Sequence, residues 1–517
     1  MTESFYVPSM RDLLDQGAEK FGDAPFIKYL DHGEVKEKSY RQLRSDSLAA
    51  CRMLRDRCAP RTKVAVIGKT SYEFLVCMTG VLLSGNVAVP FAPEISAREA
   101  EMLFRRVDVG ALLYETEFEQ RAQDLQGRLD GLLAANLDQI DRFYAPYGAD
   151  SAFAALSELT VDPKETSIII FTSGTTGVRK GVMLSSYALI GNIMYRDYCT
   201  EVFRENDVSL SILPMYHCYC FSGDYIKNLK DGVQVCLNGN LRDLSRNLPL
   251  FAPRILRCVP LIAESLLRRV KVLRSIDPHI SARDAAKQVF GPNLEWMISG
   301  GAYLNPQLIA EYEDLGIHLR QGYGMTEAGC RISVPEMDAD PASVGRVIDL
   351  CEVRVRGGEI QVSTPTMMTG YFDMPEETAA AFTPDGWLHT GDIGYVTEDR
   401  QLFITGRVKN LIILSGGENV SPEAIEKKFA NYPLIKECMV YAENDSIIAE
   451  FYPDEDYAMR CGIDNLLEAL ELLVDDCNST AKSSHIIADV RVRHTPFPKT
   501  GSGKLFRKRT EIGANGG

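Results

Sequence analysis

From residue 63 to residue 114 the chain repeats one pattern: a short apolar run, then a longer stretch in which apolar residues return every three or four positions. The short runs, Lys63 to Ile67, Val87 to Phe91 and Ala111 to Tyr114, are too brief for helices and predict strands. Ser167 to Phe171, Val208 to Leu213 and Gln234 to Leu237 read the same way. Tyr40 to Arg57 and Ile255 to Leu273 carry the helical period and predict amphipathic helices. Leu75 to Val89 is apolar but broken by Ser84, Gly85 and Asn86; it predicts a buried helix running into a strand, and is too short to cross a membrane. Strands alternating with helices predict an α/β domain with a largely parallel sheet, because parallel neighbours need a crossover between them.

The pattern changes after Cys351. Val353 to Val355, Glu359 to Val362, Gly394 to Val396 and Gln401 to Ile404 predict short strands joined by Gly and Asp turns, a small β subdomain. Beyond Lys409 a compact α+β segment is expected. It has strands at Leu411 to Leu414, Cys438 to Tyr441 and Ile447 to Phe451, and helices at Ser421 to Ala430 and Ile463 to Val474. Ser421-Pro-Glu423 suits a helix start, with serine as N-cap and proline in the first turn. The fold class is therefore α/β. Residues 1–408 form a large part with α/β layers and the small β subdomain, and residues 409–517 form a small α+β domain. The weakly patterned Ala145 to Ala155 reads as a surface connection.

A chain of 517 residues exceeds one hydrophobic core, in keeping with two or more domains. A net charge of −15 argues against nucleic acid as a partner. The basic cluster Lys504 to Arg509 reads as a solvated segment. The 13 cysteines include no CxxC pair, and Cys218-Tyr-Cys220 is too close for a zinc knuckle. With no secretory pattern at Met1-Thr-Glu-Ser-Phe5, free thiols in a reducing cytoplasm are expected.

Phe171-Thr-Ser-Gly-Thr-Thr-Gly-Val-Arg-Lys-Gly181 carries the densest chemistry. Glycines let backbone N–H groups turn toward an anion, the hydroxyls add donors, and Lys180 adds charge, which together make a candidate phosphate cradle. It is not a Walker A loop, since Lys180 precedes Gly181 rather than Ser or Thr and the glycine spacing differs.

This loop resembles the signature of the AMP-forming acyl/aryl-CoA synthetases, the luciferase-like adenylate-forming superfamily, closest to its fatty-acyl branch. Four further motifs follow in the family's order: Gln321-Gly-Tyr-Gly-Met-Thr-Glu327, Trp387-Leu-His-Thr-Gly-Asp392, Gly406-Arg-Val-Lys-Asn-Leu411 leading into Ser415-Gly-Gly-Glu-Asn419, and Pro498-Lys-Thr-Gly-Ser-Gly-Lys504. The resemblance spans essentially the whole chain. It implies ATP, Mg²⁺ and CoA (or carrier-protein phosphopantetheine) as cofactors, and a small carboxylic acid as substrate. The reaction is attack of a carboxylate on the α-phosphorus of ATP, in which positioning and charge neutralisation supply most of the catalysis.

By the same resemblance, Thr172, Ser173, Gly174, Thr175, Thr176, Gly177 and Lys180 close over the β- and γ-phosphates. Glu327 binds the metal with Thr175 nearby. Gln321, Gly322, Tyr323, Gly324, Met325 and Thr326 hold the nucleotide, with Tyr323 against adenine and Gly300, Gly301 and Ala302 opposite. Asp392 and Arg407 hold the ribose. Lys504 serves the first step together with Lys180, Thr326 and His217. Lys409 is the hinge of a mobile C-terminal lid whose Ser415, Gly416, Gly417 and Glu418 meet the pantetheine arm.

Pro214-Met-Tyr-His-Cys-Tyr-Cys-Phe221 resembles the acid-pocket wall. Tyr219 stands where amino-acid-activating members carry an aspartate, which disfavours an α-amino acid, although Asp224 is near. Ser299-Gly-Gly-Ala302 leaves room for an acyl chain. The leading reading is acyl-AMP formation followed by transfer to CoA. Transfer to a carrier protein in trans and a nucleotide-binding protein without turnover are the alternatives.

Overall fold

The computed structural model describes residues 7–139, 162–173, 179–194, 203–414, 419–444, 446–481, 485–498 and 507. The surface connection expected over Ala145 to Ala155 lies outside them.

Among the described residues, two seven-stranded sheets dominate the first four hundred positions. One runs in the order Gly370–Tyr371, Arg179–Ser185, Thr166–Ser173, Val87–Phe91, Lys63–Ile67, Val109–Tyr114, Leu133–Asn136. The other runs His318–Gln321, Trp296–Ser299, Ile255–Cys258, Val208–Ser211, Gln234–Leu237, Pro25–Asp31, Glu34–Ser39. Both are parallel through their centres and turn antiparallel at one edge, where hairpins replace crossover helices. The helices Tyr40–Arg57, Tyr72–Leu83 and Ser186–Met194 belong to the main core, which takes residues from both sheets: Val64, Val66 and Ile170 from one, Leu210, Val235 and Leu256 from the other. The outer face of the first sheet has a separate core with the helix Ala97–Val107, around Leu103, Phe104 and Leu112.

Local signals account for many boundaries. Ser39 caps Tyr40–Arg57 by accepting from the Gln42 N–H at 3.1 Å. The apolar stretch from Leu75 is the buried helix Tyr72–Leu83 running into the strand Val87–Phe91, as its pattern predicts. The helix expected over Ile255 to Leu273 needs correction. Ile255–Cys258 is a buried strand between parallel neighbours, and the helix begins only at Pro260, ending at Ile276. A short apolar run has no period of its own, and Pro260 is the true helix start.

Past Cys351 the four antiparallel strands Glu352–Arg356, Glu359–Ser363, Leu388–Val396 and Leu402–Arg407 make the small β subdomain. After Ile412 a distinct hydrophobic cluster takes over, built on Ile425, Phe429, Phe451 and Leu470. Its sheet joins Ile435–Glu443, Ser446–Pro453 and Ile487–Val492, covered by helices Pro422–Phe429 and Leu466–Ser479. Ser421 is the N-cap of Pro422–Phe429 and accepts from the Ala424 N–H. No helix among the described residues is long and apolar enough to cross a membrane.

Candidate active site

The strand leading into the candidate phosphate loop runs Thr166–Ser173 and pairs antiparallel with Arg179–Ser185, bringing Thr172 opposite Lys180 and Ser173 opposite Arg179. The hairpin thus fixes Lys180 just past the loop. Gly174, Thr175, Thr176 and Gly177 lie outside the described residues. Arg106 donates to the Arg179 carbonyl at 2.9 Å, and Arg179 pairs with Glu99 at 2.6 Å, so the loop's exit is braced from a neighbouring helix.

The Gln321–Glu327 motif spans three elements. Gln321 ends the strand His318–Gln321 and donates through Nε2 to the Ala302 carbonyl at 2.8 Å. Tyr323–Met325 form a strand against Cys330–Val334, and Thr326–Ala328 a 3₁₀ turn. Gly324 is required by the protein's own backbone, since a Cβ there would lie 1.7 Å from the Cys330 carbonyl oxygen. Gly301 has φ +80° and open space where a side chain would project.

A bracket closes around Asp392, which is 4% exposed. The Tyr323 hydroxyl donates to Asp392 Oδ2 at 2.6 Å, and Arg407 Nε stands 2.8 Å from Oδ1. Asp392 and Arg407 are register partners on adjacent strands, which explains their meeting. Burial first, then the Asp392 charge, pushes the Tyr323 phenol well above its usual pKa, so it remains a donor. Glu359 braces the same turn, accepting from the Gly391 N–H at 2.9 Å while His389 Nδ1 lies 2.7 Å from its other oxygen. His389 is therefore a partner of the Asp392 turn.

Glu327 accepts from the Tyr371 hydroxyl through Oε1 at 3.0 Å, and the Lys180 ammonium lies over the Tyr371 ring, 4.5 Å from its centroid. Burial, then the Glu327 charge, raises the Tyr371 pKa.

On the acid side, His217 precedes a short helical turn with its ring 4.7 Å from that of Tyr216. Burial and the Arg179 charge lower its pKa, which keeps the imidazole neutral near pH 7. Tyr219 donates to the Ile298 carbonyl at 3.1 Å, and its ring lies 3.2 Å from where a Cβ on Gly300 would stand. The room expected beside Gly300 is thus taken by Tyr219, and the open space lies at Gly301. Asp224 is fully buried and pairs with Arg257 at 2.6 Å.

The profile described as AMP-binding enzyme matches residues 14–372, and that of the AMP-binding enzyme C-terminal domain matches residues 409–512. The chain belongs to the AMP-binding enzyme family. The AMP-forming ligase superfamily to which its ordered motifs point is therefore its own. It is 28% identical over 421 residues to 4-coumarate–CoA ligase 4 of Arabidopsis thaliana, covering 73% of this chain and 69% of the relative. Identity to the long-chain-fatty-acid–CoA ligase FadD15 of Mycobacterium bovis is 26%, over 74% of this chain and 71% of that one. Among solved structures, the o-succinylbenzoate CoA synthetase of Bacillus subtilis bound to its acyl-adenylate superposes with TM-score 0.75 and 21% identity, over 99% of this chain and 100% of that one. An anthranilate CoA ligase with anthranoyl-AMP superposes with TM-score 0.79 and 18% identity, over 97% and 96%. These likenesses fix the α/β architecture with its small C-terminal domain.

In this AMP-binding enzyme, Lys409 sits in the exposed turn Val408–Asn410 between the two parts. Ser415, Gly416, Gly417, Glu418 and Lys504 lie outside the described residues. Of the cluster Lys504 to Arg509 expected to be solvated, only Arg507 is described, and it departs from that expectation: it donates to the Val440 carbonyl at 3.1 Å and pairs with Glu426. The two parts meet where Ser421 donates to the Thr405 carbonyl at 2.9 Å and Lys427 to the Ile404 carbonyl at 2.8 Å. Glu359, Tyr371 and Arg106 escaped the sequence reading. Nothing in their local pattern marks them, because each acts through a partner at least 30 positions away.

Proposed function

We propose that the protein is an acid–thiol ligase. A carboxylic acid and ATP give acyl-AMP and pyrophosphate, and the thiol of CoA then takes the acyl group and releases AMP. The observation that carries this reading is the buried Asp392, bracketed by Tyr323 and Arg407 on a scaffold of the AMP-binding enzyme family. Two carboxylate oxygens aimed by a phenol and a guanidinium suit the two hydroxyls of a ribose. Lys180 and Lys504 neutralise charge around the phosphates, and His217 and Thr326 line the reacting end. Glu327 suits Mg²⁺, a hard cation that prefers phosphate oxygens with one or two carboxylates, and such an ion would offset the negative charge of the polyphosphate.

The acid we propose is an acyl or aryl acid without an α-amino group. Asp224, the carboxylate near enough to meet an ammonium, is fully buried and already carries Arg257 as its counter-charge on Oδ1. Relatives named as 4-coumarate–CoA and long-chain-fatty-acid–CoA ligases support the class without dividing it. We also propose a domain boundary at residues 408 and 409, with Lys409 as hinge and residues 409–517 as a lid. The change of hydrophobic cluster between Leu402 and Ile412 supports it. A reducing, cytoplasmic setting is proposed because the described cysteines are free thiols.

The test is acid-dependent pyrophosphate release from purified protein with Mg-ATP, across fatty, aryl and amino acids, with and without CoA. Pyrophosphate with a fatty or aryl acid, and AMP plus thioester only when CoA is present, is the expected result. Adenylate that CoA does not discharge redirects the second step to a carrier protein. ATP binding without turnover of any acid overturns the ligase reading.

A further inference from the structure

We propose that Tyr371 is a positioning residue that holds Lys180 and Glu327 apart and aligned, so that the ammonium stays available for phosphate and the carboxylate for the metal. The inference rests on the nucleotide reading above, and concerns a side chain that none of the five sequence motifs contains.

Its basis is the way one short segment grips both halves of the phosphate side. Gly370–Tyr371 is an edge strand, with Gly370 opposite Met183 and Tyr371 opposite Val182. Lys180 lies two positions before Val182 on that strand, and diagonal neighbours on one face of an antiparallel pair are within reach of long and aromatic side chains. That register places the ammonium over the ring, 4.5 Å from its centroid. The Phe372 N–H donates to the Gly181 carbonyl at 2.8 Å and the Thr369 N–H to that of Met183 at 3.0 Å, so the register is locked on both sides. The same segment holds the Glu327 turn twice: the Met368 N–H donates to the Glu327 carbonyl at 2.8 Å, and the Tyr371 hydroxyl donates to the Glu327 side chain at 3.0 Å. Tyr371 is itself pinned by the Thr378 hydroxyl, which accepts its N–H at 2.9 Å.

One side chain therefore engages both charges, the cation on its ring face and the anion at its hydroxyl. A direct Lys180–Glu327 ion pair would consume both groups before the nucleotide arrives, and a phosphate would have to break it. An aromatic face holds an ammonium more weakly than a carboxylate does, so the lysine is released to phosphate at lower cost. The phenol occupies only Oε1 of the carboxylate and orients it, as outer partners of metal-binding carboxylates do.

The test is calorimetric binding of ATP to the full chain, first without metal and then with Mg²⁺. Tyr371→Phe keeps the ring and loses the hydroxyl; its metal-free ATP affinity is expected within about twofold of the unchanged protein, with the tightening caused by Mg²⁺ reduced about tenfold. Tyr371→Leu removes the spacer, so metal-free ATP binding is expected to weaken about tenfold as Lys180 pairs with Glu327. Adding Glu327→Gln to Tyr371→Leu frees the lysine and restores metal-free binding. A loss that the second substitution does not rescue, or no loss at all, overturns the proposal. If Tyr371→Leu does not fold, an unchanged Mg²⁺ response in Tyr371→Phe overturns it instead. Absence of ATP binding to the unchanged protein overturns the nucleotide reading and this inference with it.

Discussion

The two ends of the proposed nucleotide site are built differently. At the Asp392 end the groups are already assembled: a 4% exposed carboxylate is held by a phenol and a guanidinium, and its turn is braced by Glu359. At the Lys180 end the charged groups rest on one ring, the cation on its face and the carboxylate at its hydroxyl. The first arrangement sits on register partners of neighbouring strands; the second bridges an edge strand, a hairpin and a 3₁₀ turn. The comparison teaches that the Asp392 end, proposed for the ribose, is suited to hold a fixed part of the ligand. The Lys180 end, proposed for the phosphates, is suited to let go of a part that leaves.

The contrast breaks most sharply at Asp392. Asp392→Asn removes the charge between Tyr323 and Arg407, and kcat/KM for ATP in the adenylation step is expected to fall about 100-fold, equivalent to about 2.7 kcal/mol. Pyrophosphate release at varied ATP measures it; a loss below about threefold would make the bracket a structural pair rather than a ligand site.

Tyr323→Phe is a gentler probe of the same end. Deleting one hydrogen bond to a charged group costs about 1.5–3 kcal/mol, so the KM for ATP should rise at least about tenfold with kcat little altered. A fall in kcat with KM unchanged would move Tyr323 from ground-state positioning to the transition state.

The smallest effect lies away from both ends and serves as a control. Glu115 is buried beside the strand Lys63–Ile67, accepting from the Lys69 N–H at 2.7 Å, and burial pushes its pKa up to about 7. Because that value lies above the unfolded carboxylate pKa, the folded protein binds more protons between the two. Glu115 therefore subtracts stability as pH rises through about 4.5 to 7, and the loss is complete above it. Glu115→Gln should raise stability by about 1–2 kcal/mol at pH 8, a shift of about 1–3 °C in melting temperature, with no gain at pH 4 and unchanged turnover. A gain equal at both pH values would assign the effect to packing rather than to charge.

Short buried strands bounded by turn residues were legible in the sequence. Lys63–Ile67, Val87–Phe91 and Gln234–Leu237 occupy the predicted positions because a parallel strand buried on both faces reads as a near-continuous apolar run, polar only at its half-buried start in Lys63 and Gln234. Ile255–Cys258 has the same composition but abuts a helix of matching apolarity, and only its parallel partners reveal it as a strand. Asp392 and Arg407 were legible by motif, and their meeting follows from strand register. Arg507 was misread as a solvated cation because its partners Glu423 and Glu426 lie some eighty positions earlier.

By itself the sequence determined the family, the order of the elements and the residue types that nucleotide chemistry requires. Motifs and hydrophobic periods are local, set by chain geometry over a few residues. Tertiary structure alone decided which groups touch. It put Tyr219 over Gly300, paired Asp224 with Arg257, and brought Tyr371 into contact with both Lys180 and Glu327. Those contacts join positions dozens to nearly two hundred residues apart, and they arise only when sheet register and packing bring distant strands together.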